Sequence, residues 1–366
     1  MKIAIISDYN NKTGVGSQNY NLYLGLKRLG VAVDIINLVS PQGFKSPPSY
    51  GINIISSIFN NPALSFGYGV FFKFPKMLKE LLNKNRYDVV ILGHQGLAYL
   101  YKPLSTLTIN LMIIVDDLFP LYKSVYAGLN YLIYRRFLLN HLSEFKNMVF
   151  ISNFTKNDYI KFYHNLSEKH YKTVYIGIDN MDISHNMQND VISKFNLQKK
   201  RIILNVGSED KRKNIETFLG VANHYKYEKN LIFVRVGRKS KESDSYITKN
   251  KLKNVLYVSG LAEKELMALY KVSNIVISPA LLEGYGKQIF EGYLYHNFVI
   301  TTKVSDVAQM FENDQNVFLV ENPKSIKEYV GYIDTICKKN LVFHYDTKIQ
   351  SIDSEAQEYL DFIKRI

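Results

Sequence analysis

The chain has a single cysteine, Cys337, and no tryptophan in its 366 residues. One thiol excludes an intramolecular disulfide framework and points to a reducing compartment. No uninterrupted apolar run approaches the ~18 residues that suggest a spanning helix, so no transmembrane segment is expected. The N-terminus, MKIAIISDYNNKTG, lacks an apolar h-region and reads directly as a strand and a loop, so no signal peptide is expected. Histidine, cysteine and carboxylates do not cluster at metal-ligand spacing, and no bound metal is expected. Zinc-finger, helix-turn-helix and aromatic RNP-type signatures are also missing, which makes a nucleic-acid-binding module an unfavoured reading.

What is present is the composition of a globular protein, 46% hydrophobic and 22% charged. A chain of 366 residues exceeds one ordinary core and fits two domains. The net charge of +13 suits nucleic acid, an anionic membrane or a phosphorylated substrate, and equally a solvated lysine-rich surface. Charge alone does not choose among them.

Short apolar runs alternate with helix-like segments from end to end, the pattern of parallel α/β sheets. Strands are expected at Lys2–Ser7, Ala32–Leu38, Val89–Leu92, Asn110–Val115, Met148–Ser152 and Thr173–Ile176. A second set falls at Ile202–Val206, Leu231–Val236, Val255–Val258, Ile275–Ser278, Val299–Thr302 and Val317–Val320. Two doubly wound domains in tandem follow, with a boundary near Gly177–Lys200, where the polar stretch DNMDISHNMQND interrupts the pattern. Pro41–Tyr68 holds Pro41, Pro47, Pro48 and Pro62 and reads as loop-rich. Val70–Arg86 is apolar and basic; such a helix covers a sheet or lies on a membrane surface. Asp353–Ile366 has apolar residues at helical spacing and needs somewhere to dock.

The most informative stretch is Ile275–Ile300. A β-branched run ends in Ser278-Pro279, a loop carries Glu283-Gly284-Tyr285-Gly286, and the following helix holds Glu291. The two carboxylates suit either acid–base work or the diols of a bound sugar, while loop amides and a helix start face phosphate. Such a ligand is a nucleotide-sugar. Nearer the N-terminus, Gly14 and Gly16 lead into the helix SQNYNLYLGLKRLG, where glycine permits close approach of a ligand or simply makes a tight turn. A full GxGxxG fingerprint is lacking, which argues against a dinucleotide dehydrogenase. After the strand ending at Val206, Gly207 begins a loop, and Arg212 and Lys213 open a helix. Two cations there run against the macrodipole unless an anion lies between them. A diphosphate would accept a fork from Arg212 and a point charge from Lys213; the alternative is a pair of solvated cations.

VGSEDKRKNIETFL followed by SPALLEGYGKQIFEGY resembles the retaining glycosyltransferases of family 4, which have the GT-B fold. The E-x7-E pair of that family matches Glu283 and Glu291, and its R-K pair matches Arg212 and Lys213. The Gly14–Gly16 loop, DDLFP at Asp116–Pro120, FISNFTKND at Phe150–Asp158 and VYIGIDN at Val174–Asn180 agree in order. The resemblance implies an α/β GT-B fold, two Rossmann-like doubly wound domains facing each other across a cleft. Residues 1–180 would form an acceptor-binding domain, 181–345 a donor-binding domain, and 346–366 a helix crossing back to the first.

The resemblance also implies roles. Glu283 would contact donor sugar hydroxyls and Glu291 the ribose. Arg212 and Lys213 would bind the diphosphate and stabilise the leaving group, and these two with Glu283 form the expected catalytic set. Gly14, Gly16, His94, Gly207, Tyr285, Gly286 and Lys287 would complete the donor site, with Asp116 and Asp117 facing the acceptor. Some positions depart from the family pattern. Ser208 stands where many relatives have Arg, Asp116 where relatives often have His, and His94 is shifted by about one residue. Asn297 takes the place of a glycine-containing helix stop.

The expected reaction moves a hexose with retention from a nucleotide-diphosphate-sugar to a hydroxyl of a glycan, lipid or protein. It needs no cofactor and no metal. The alternatives are a nucleotide-sugar 2-epimerase on the same fold and a basic nucleic-acid-binding or nucleic-acid-modifying protein. The expected location is cytoplasmic, with peripheral contact at an anionic inner membrane face as an option.

Overall fold

A computed structural model describes the chain except residues 8–12, 40–49, 54–68, 123–127, 129, 130, 133, 165, 340 and 346–348, and the side chains of 38, 39 and 50–53. The chain divides into two compact units, Met1–Gly177 with Gln350–Ile366, and Ile178–Ile349.

The first unit is built on seven strands: β1 (Lys2–Ser7), β2 (Ala32–Val39), β3 (Tyr50–Asn53), β4 (Val89–Leu92), β5 (Asn110–Val115), β6 (Asn147–Phe150) and β7 (His170–Thr173). They form one sheet in the order β3-β2-β1-β4-β5-β6-β7, with every pairing parallel. Burial on both faces explains the unbroken apolar runs: β1, β4 and β5 carry Ile3–Ile6, Val89–Leu92 and Leu111–Val115 inside. β3 lies within the stretch expected to be loop; the four prolines of that stretch lie outside the described residues.

Helices α1 (Gly14–Arg28), α2 (Phe74–Asn85) and α3 (Asn153–Tyr163) cover this sheet. Helix α1 starts at Gly14, not Ser17, because Thr13 caps it by accepting from Gly16 N at 3.1 Å. The last helix of the chain, Ile352–Ile363, also belongs to this unit and packs on α1. Its Ala356 lies so close to Gly25 that an added Cβ there would approach it to 2.7 Å. Arg28 Nε reaches Asp353 Oδ1 at 2.5 Å along the same seam.

The second unit has β8 (Arg201–Val206), β9 (Leu231–Val236), β10 (Val255–Val258), β11 (Ile275–Ser278), β12 (Phe298–Thr302) and β13 (Val317–Val320). Their order is β10-β9-β8-β11-β12-β13, again all parallel. Its longer helices are α4 (His185–Lys194), α5 (Ile215–His224), α6 (Lys241–Asn250), α7 (Glu263–Val272), α8 (Lys287–Leu294) and α9 (Ile326–Lys339), and the C-terminal helix is labelled α10. Relabelled from its own first strand, this sheet runs 3-2-1-4-5-6, the doubly wound order. Strand order reverses between β1 and β4 in the first unit and between β8 and β11 in the second. The loops leaving those strands flank the crevice where such sheets bind ligands. Among the described residues no helix is long and apolar enough to cross a membrane.

Candidate functional site

In the second unit the two loops at the reversal point are those after β8 and β11, and they are braced to each other. Leu281 N donates to Arg212 O at 2.6 Å, and Asn214 Nδ2 reaches Pro279 O at 2.9 Å and Pro323 O at 2.8 Å. Ser305 Oγ holds Gly284 O at 2.6 Å, and Thr302 Oγ1 holds Ala280 O at 2.6 Å. The two loops are thus held in place by one main-chain bond and by side chains that do not themselves face a ligand.

Arg212 and Lys213 do not open the helix as expected. They lie in a short 3-10 turn, Lys211–Lys213, and Asn214 in the left-handed region (φ 52°) separates this turn from α5. The anion between them is Glu283. Lys213 Nζ sits 2.5 Å from Glu283 Oε1 and Arg212 Nη1 2.8 Å from Oε2, while Gln288 Nε2 adds a bond to Oε1 at 2.9 Å. Glu283 is 4% exposed. Burial pushes its carboxyl up, but Lys213 and Arg212 outweigh that and hold it below the usual carboxylate range. Burial also lowers the Lys213 ammonium, against the opposing pull of Glu283.

Gly286 precedes α8 with φ 89°, a conformation suited to glycine, and so turns the chain into the helix that carries Glu291. Glu291 is buried; it accepts from Tyr270 OH at 2.9 Å and pairs with Lys287 Nζ at 3.1 Å. Tyr285 is buried with its ring stacked on Phe290 at 4.3 Å. The stop after α8 is His296, at φ 65°, and not Asn297. Asn297 instead buries its amide and donates to Gly292 O at 3.0 Å and Tyr270 O at 2.9 Å.

In the first unit the loop after β1 falls at residues 8–12, outside the described residues, and the loop after β4 carries His94 and Gln95. His94 is 3% exposed and caps the 3-10 turn Gln95–Leu100, its Nδ1 accepting from Gly96 N at 3.0 Å. Gln95 Oε1 accepts from Asp116 N at 2.9 Å, and its Nε2 points at Asp117 Oδ1, 3.4 Å away. Asp117 Oδ1 also receives Phe119 N at 3.3 Å, the loop cap that a carboxylate there can make. Asn19, fully buried in α1, donates to Ser7 Oγ at 3.1 Å. Gly16 is buried in the first turn of α1, and Gly14 is exposed.

Sequence reasoning missed Gln95, Gln288, Tyr270 and Arg235. Only Arg235 left a signal, a lone charge inside the apolar run LIFVRV.

Residues 187–351 match the family model for glycosyl transferases group 1, and residues 12–180 match that for glycosyltransferase family 4. The chain belongs to glycosyltransferase family 4. This family 4 enzyme is similar in structure to HepE from Anabaena, solved in complex with UDP and glucose (TM-score 0.73, 14% identity, 100% of each chain). It is also similar to a sucrose-phosphate synthase from Thermosynechococcus elongatus (0.73, 16%, 99% of this chain and 94% of that one). A third likeness is to a glycosyltransferase from Rickettsia africae (0.70, 18%, 100% and 98%). At these identities the likeness is one of fold, and the glycosyltransferase has the GT-B fold. Comparison with curated protein sequences gives no match.

Proposed function

We propose that this glycosyltransferase moves a hexose, with retention and without a metal, from a nucleotide-diphosphate-sugar to a hydroxyl acceptor. The observation that carries the reading is the convergence of Arg212 and Lys213 on buried Glu283 at the strand-order reversal of the second unit. Arg212 and Lys213 bind the diphosphate and stabilise the charge that grows on it as the glycosidic bond breaks. Glu283, held by both cations and Gln288, has its carboxylate fixed as an acceptor for sugar hydroxyls. Glu291 takes the ribose hydroxyls from its place on α8, and the amides near Tyr285, Gly286 and Lys287, with Gly207, border the phosphates.

To the first unit we assign the acceptor side, with a donor-sugar role for His94, Gly14 and Gly16 and an acceptor role for Asp116 and Asp117, the acceptor being a hydroxyl of a glycan, lipid or protein. Because HepE holds UDP and glucose, UDP-linked sugars are the first donors to try.

The test is a calorimetric screen against UDP-, GDP- and ADP-linked sugars, followed by product analysis with and without acceptor. Binding of one donor, with transfer only when acceptor is present, is expected. An epimerised sugar formed from donor alone would instead make the protein a 2-epimerase.

Contact with an anionic membrane belongs to the same reading. Phe72 and Phe137 are 66% and 54% exposed, and Phe71 touches Phe137 with ring centroids 6.1 Å apart. Lys73 and Lys76 follow Phe72, and Arg135 and Arg136 precede Phe137, the mixture that suits a lipid surface. Co-sedimentation with phosphatidylglycerol vesicles, but not with phosphatidylcholine vesicles, is expected. Equal sedimentation of Phe72→Ser/Phe137→Ser with the wild type would remove this patch from the reading.

A further inference from the structure

Arg235 is the fifth residue of β9 and is 0% exposed. A guanidinium out of water needs acceptors, and here they are main-chain carbonyls. Its Nη2 donates to Gly207 O at 2.9 Å and to Ser208 O at 2.8 Å, and its Nη1 donates to Val236 O. Lysine could not reproduce this planar fork. The same loop is tied from its other side by Glu209. That carboxylate accepts from Ser240 N at 2.8 Å, Ser243 Oγ at 2.9 Å and Tyr257 OH at 2.6 Å.

Peptide geometry turns these bonds into a directional statement. No peptide bond in the described chain is cis, and in a trans peptide the C=O and the following N–H point opposite ways. With the carbonyls of Gly207 and Ser208 drawn inward onto Arg235, the amides of Ser208 and Glu209 face away from it. Among the described residues neither amide has a protein acceptor. Two consecutive amides turned the same way and left without acceptors are the donors from which main-chain anion sites are built. Lys213 borders it: its Nζ lies 3.7 Å from where a β-carbon on Gly207 would stand.

We propose that Arg235 is a positioning residue whose capture of the Gly207 and Ser208 carbonyls presents the Ser208 and Glu209 amides to a phosphate of the donor. The proposal rests on the reading of Arg212 and Lys213 as the diphosphate site. It gives the loop after β8 a main-chain contribution to a ligand for which side-chain motifs register only the cations.

The test uses the full chain, labelled with 15N, and inorganic pyrophosphate as a probe that carries no base, with UDP, GDP and ADP alongside. On adding pyrophosphate, the amide protons of Ser208 and Glu209 should move downfield. Arg235→Lys should weaken pyrophosphate binding about tenfold and reduce those shifts, since one oriented charge-assisted contact is worth roughly that factor. Pyrophosphate binding that Lys213→Ala weakens, while the two amides stay still or Arg235→Lys binds as the wild type does, would overturn this inference and leave the donor site standing. Failure of pyrophosphate and all three nucleotides to bind would overturn the donor-site reading itself, and this inference with it. Arg235→Met removes the donors altogether; where it does not fold, the wild-type spectra decide alone.

Discussion

The two units share the strand order 3-2-1-4-5-6, extended by a seventh strand in the first, and the same reversal point, yet the described residues there differ in chemistry. In the second unit they carry Arg212, Lys213 and Glu283 in direct contact, with Lys287 and Glu291 paired beside them. In the first unit the described residues at the equivalent place are His94 and Gln95, in the loop after β4, with a buried floor of Ser7 and Asn19 joined by a neutral hydrogen bond. Topology thus fixes where a ligand can bind, and the loop residues fix what kind. Charges held in place before binding suit a multiply charged ligand, because little reorganisation remains to be done. A neutral, hydrogen-bonded floor suits groups that exchange hydrogen bonds, such as sugar hydroxyls.

The sharpest way to break this contrast is Lys213→Ala. If the ammonium stabilises a departing diphosphate, kcat falls by about a hundredfold or more while acceptor KM changes little. Steady-state kinetics with the donor found by the screen decides it. Near-normal turnover would make the charged cluster structural and the difference between the units incidental.

Glu291→Ala comes next. Ribose anchoring is shared by ground and transition states, so donor KM should rise by about tenfold with kcat held within a few-fold. Tyr270 loses its acceptor in this variant, so a thermal melt must accompany the kinetics to separate lost binding from lost packing. In the first unit Gln95→Met should act on the acceptor alone. It frees the Asp116 amide, raising acceptor KM a few-fold and leaving donor binding unchanged. A matching rise in donor KM would mean the two loop clusters do not divide the substrates between them.

Much of this was legible beforehand, and the exceptions have physical causes. β1, β4, β5, β9, β10, β11 and β13 fall on the expected residues because strands of a parallel sheet covered on both faces are predominantly apolar runs, even where Arg235 interrupts β9. β7 was expected at Thr173–Ile176 but is His170–Thr173. At the sheet edge its polar residues pair, whereas Val174 and Ile176, which gave the apolar signal, are buried just beyond the ladder. Apolar pattern reports burial, and pairing only where the two coincide. β3 was hidden by the prolines around it. At the site, residue type and spacing singled out Arg212, Lys213, Glu283 and Glu291. That Glu283 is itself the anion between the two cations requires two loops about seventy residues apart to meet, which no local pattern encodes. Arg235 was visible as a charge in a strand, but its partners are main-chain carbonyls and leave no trace in side-chain motifs.

The smallest effect sharpens the comparison through pH. Glu283 keeps its proton less tightly in the folded chain than its ordinary value near 4.5, because Lys213 and Arg212 outweigh its burial. A depressed folded value contributes stability that is complete above the ordinary value and lost as pH falls through the folded one. Denaturant melts taken from pH 6 downward should therefore lose stability below about 4.5 partly through this carboxyl. Glu283→Gln starts less stable at pH 6, since the cations lose their counter-charge, and should then show a shallower acid limb. Gln95→Met, which removes an amide's bond to the main chain and one long contact with Asp117 but breaks no ion pair, should stay close to the wild-type slope. Parallel acid limbs for wild type and Glu283→Gln would mean that the pairing of Glu283 with its two cations adds nothing to stability, and that the charged cluster is no better preorganised than the hydrogen-bonded loop of His94 and Gln95.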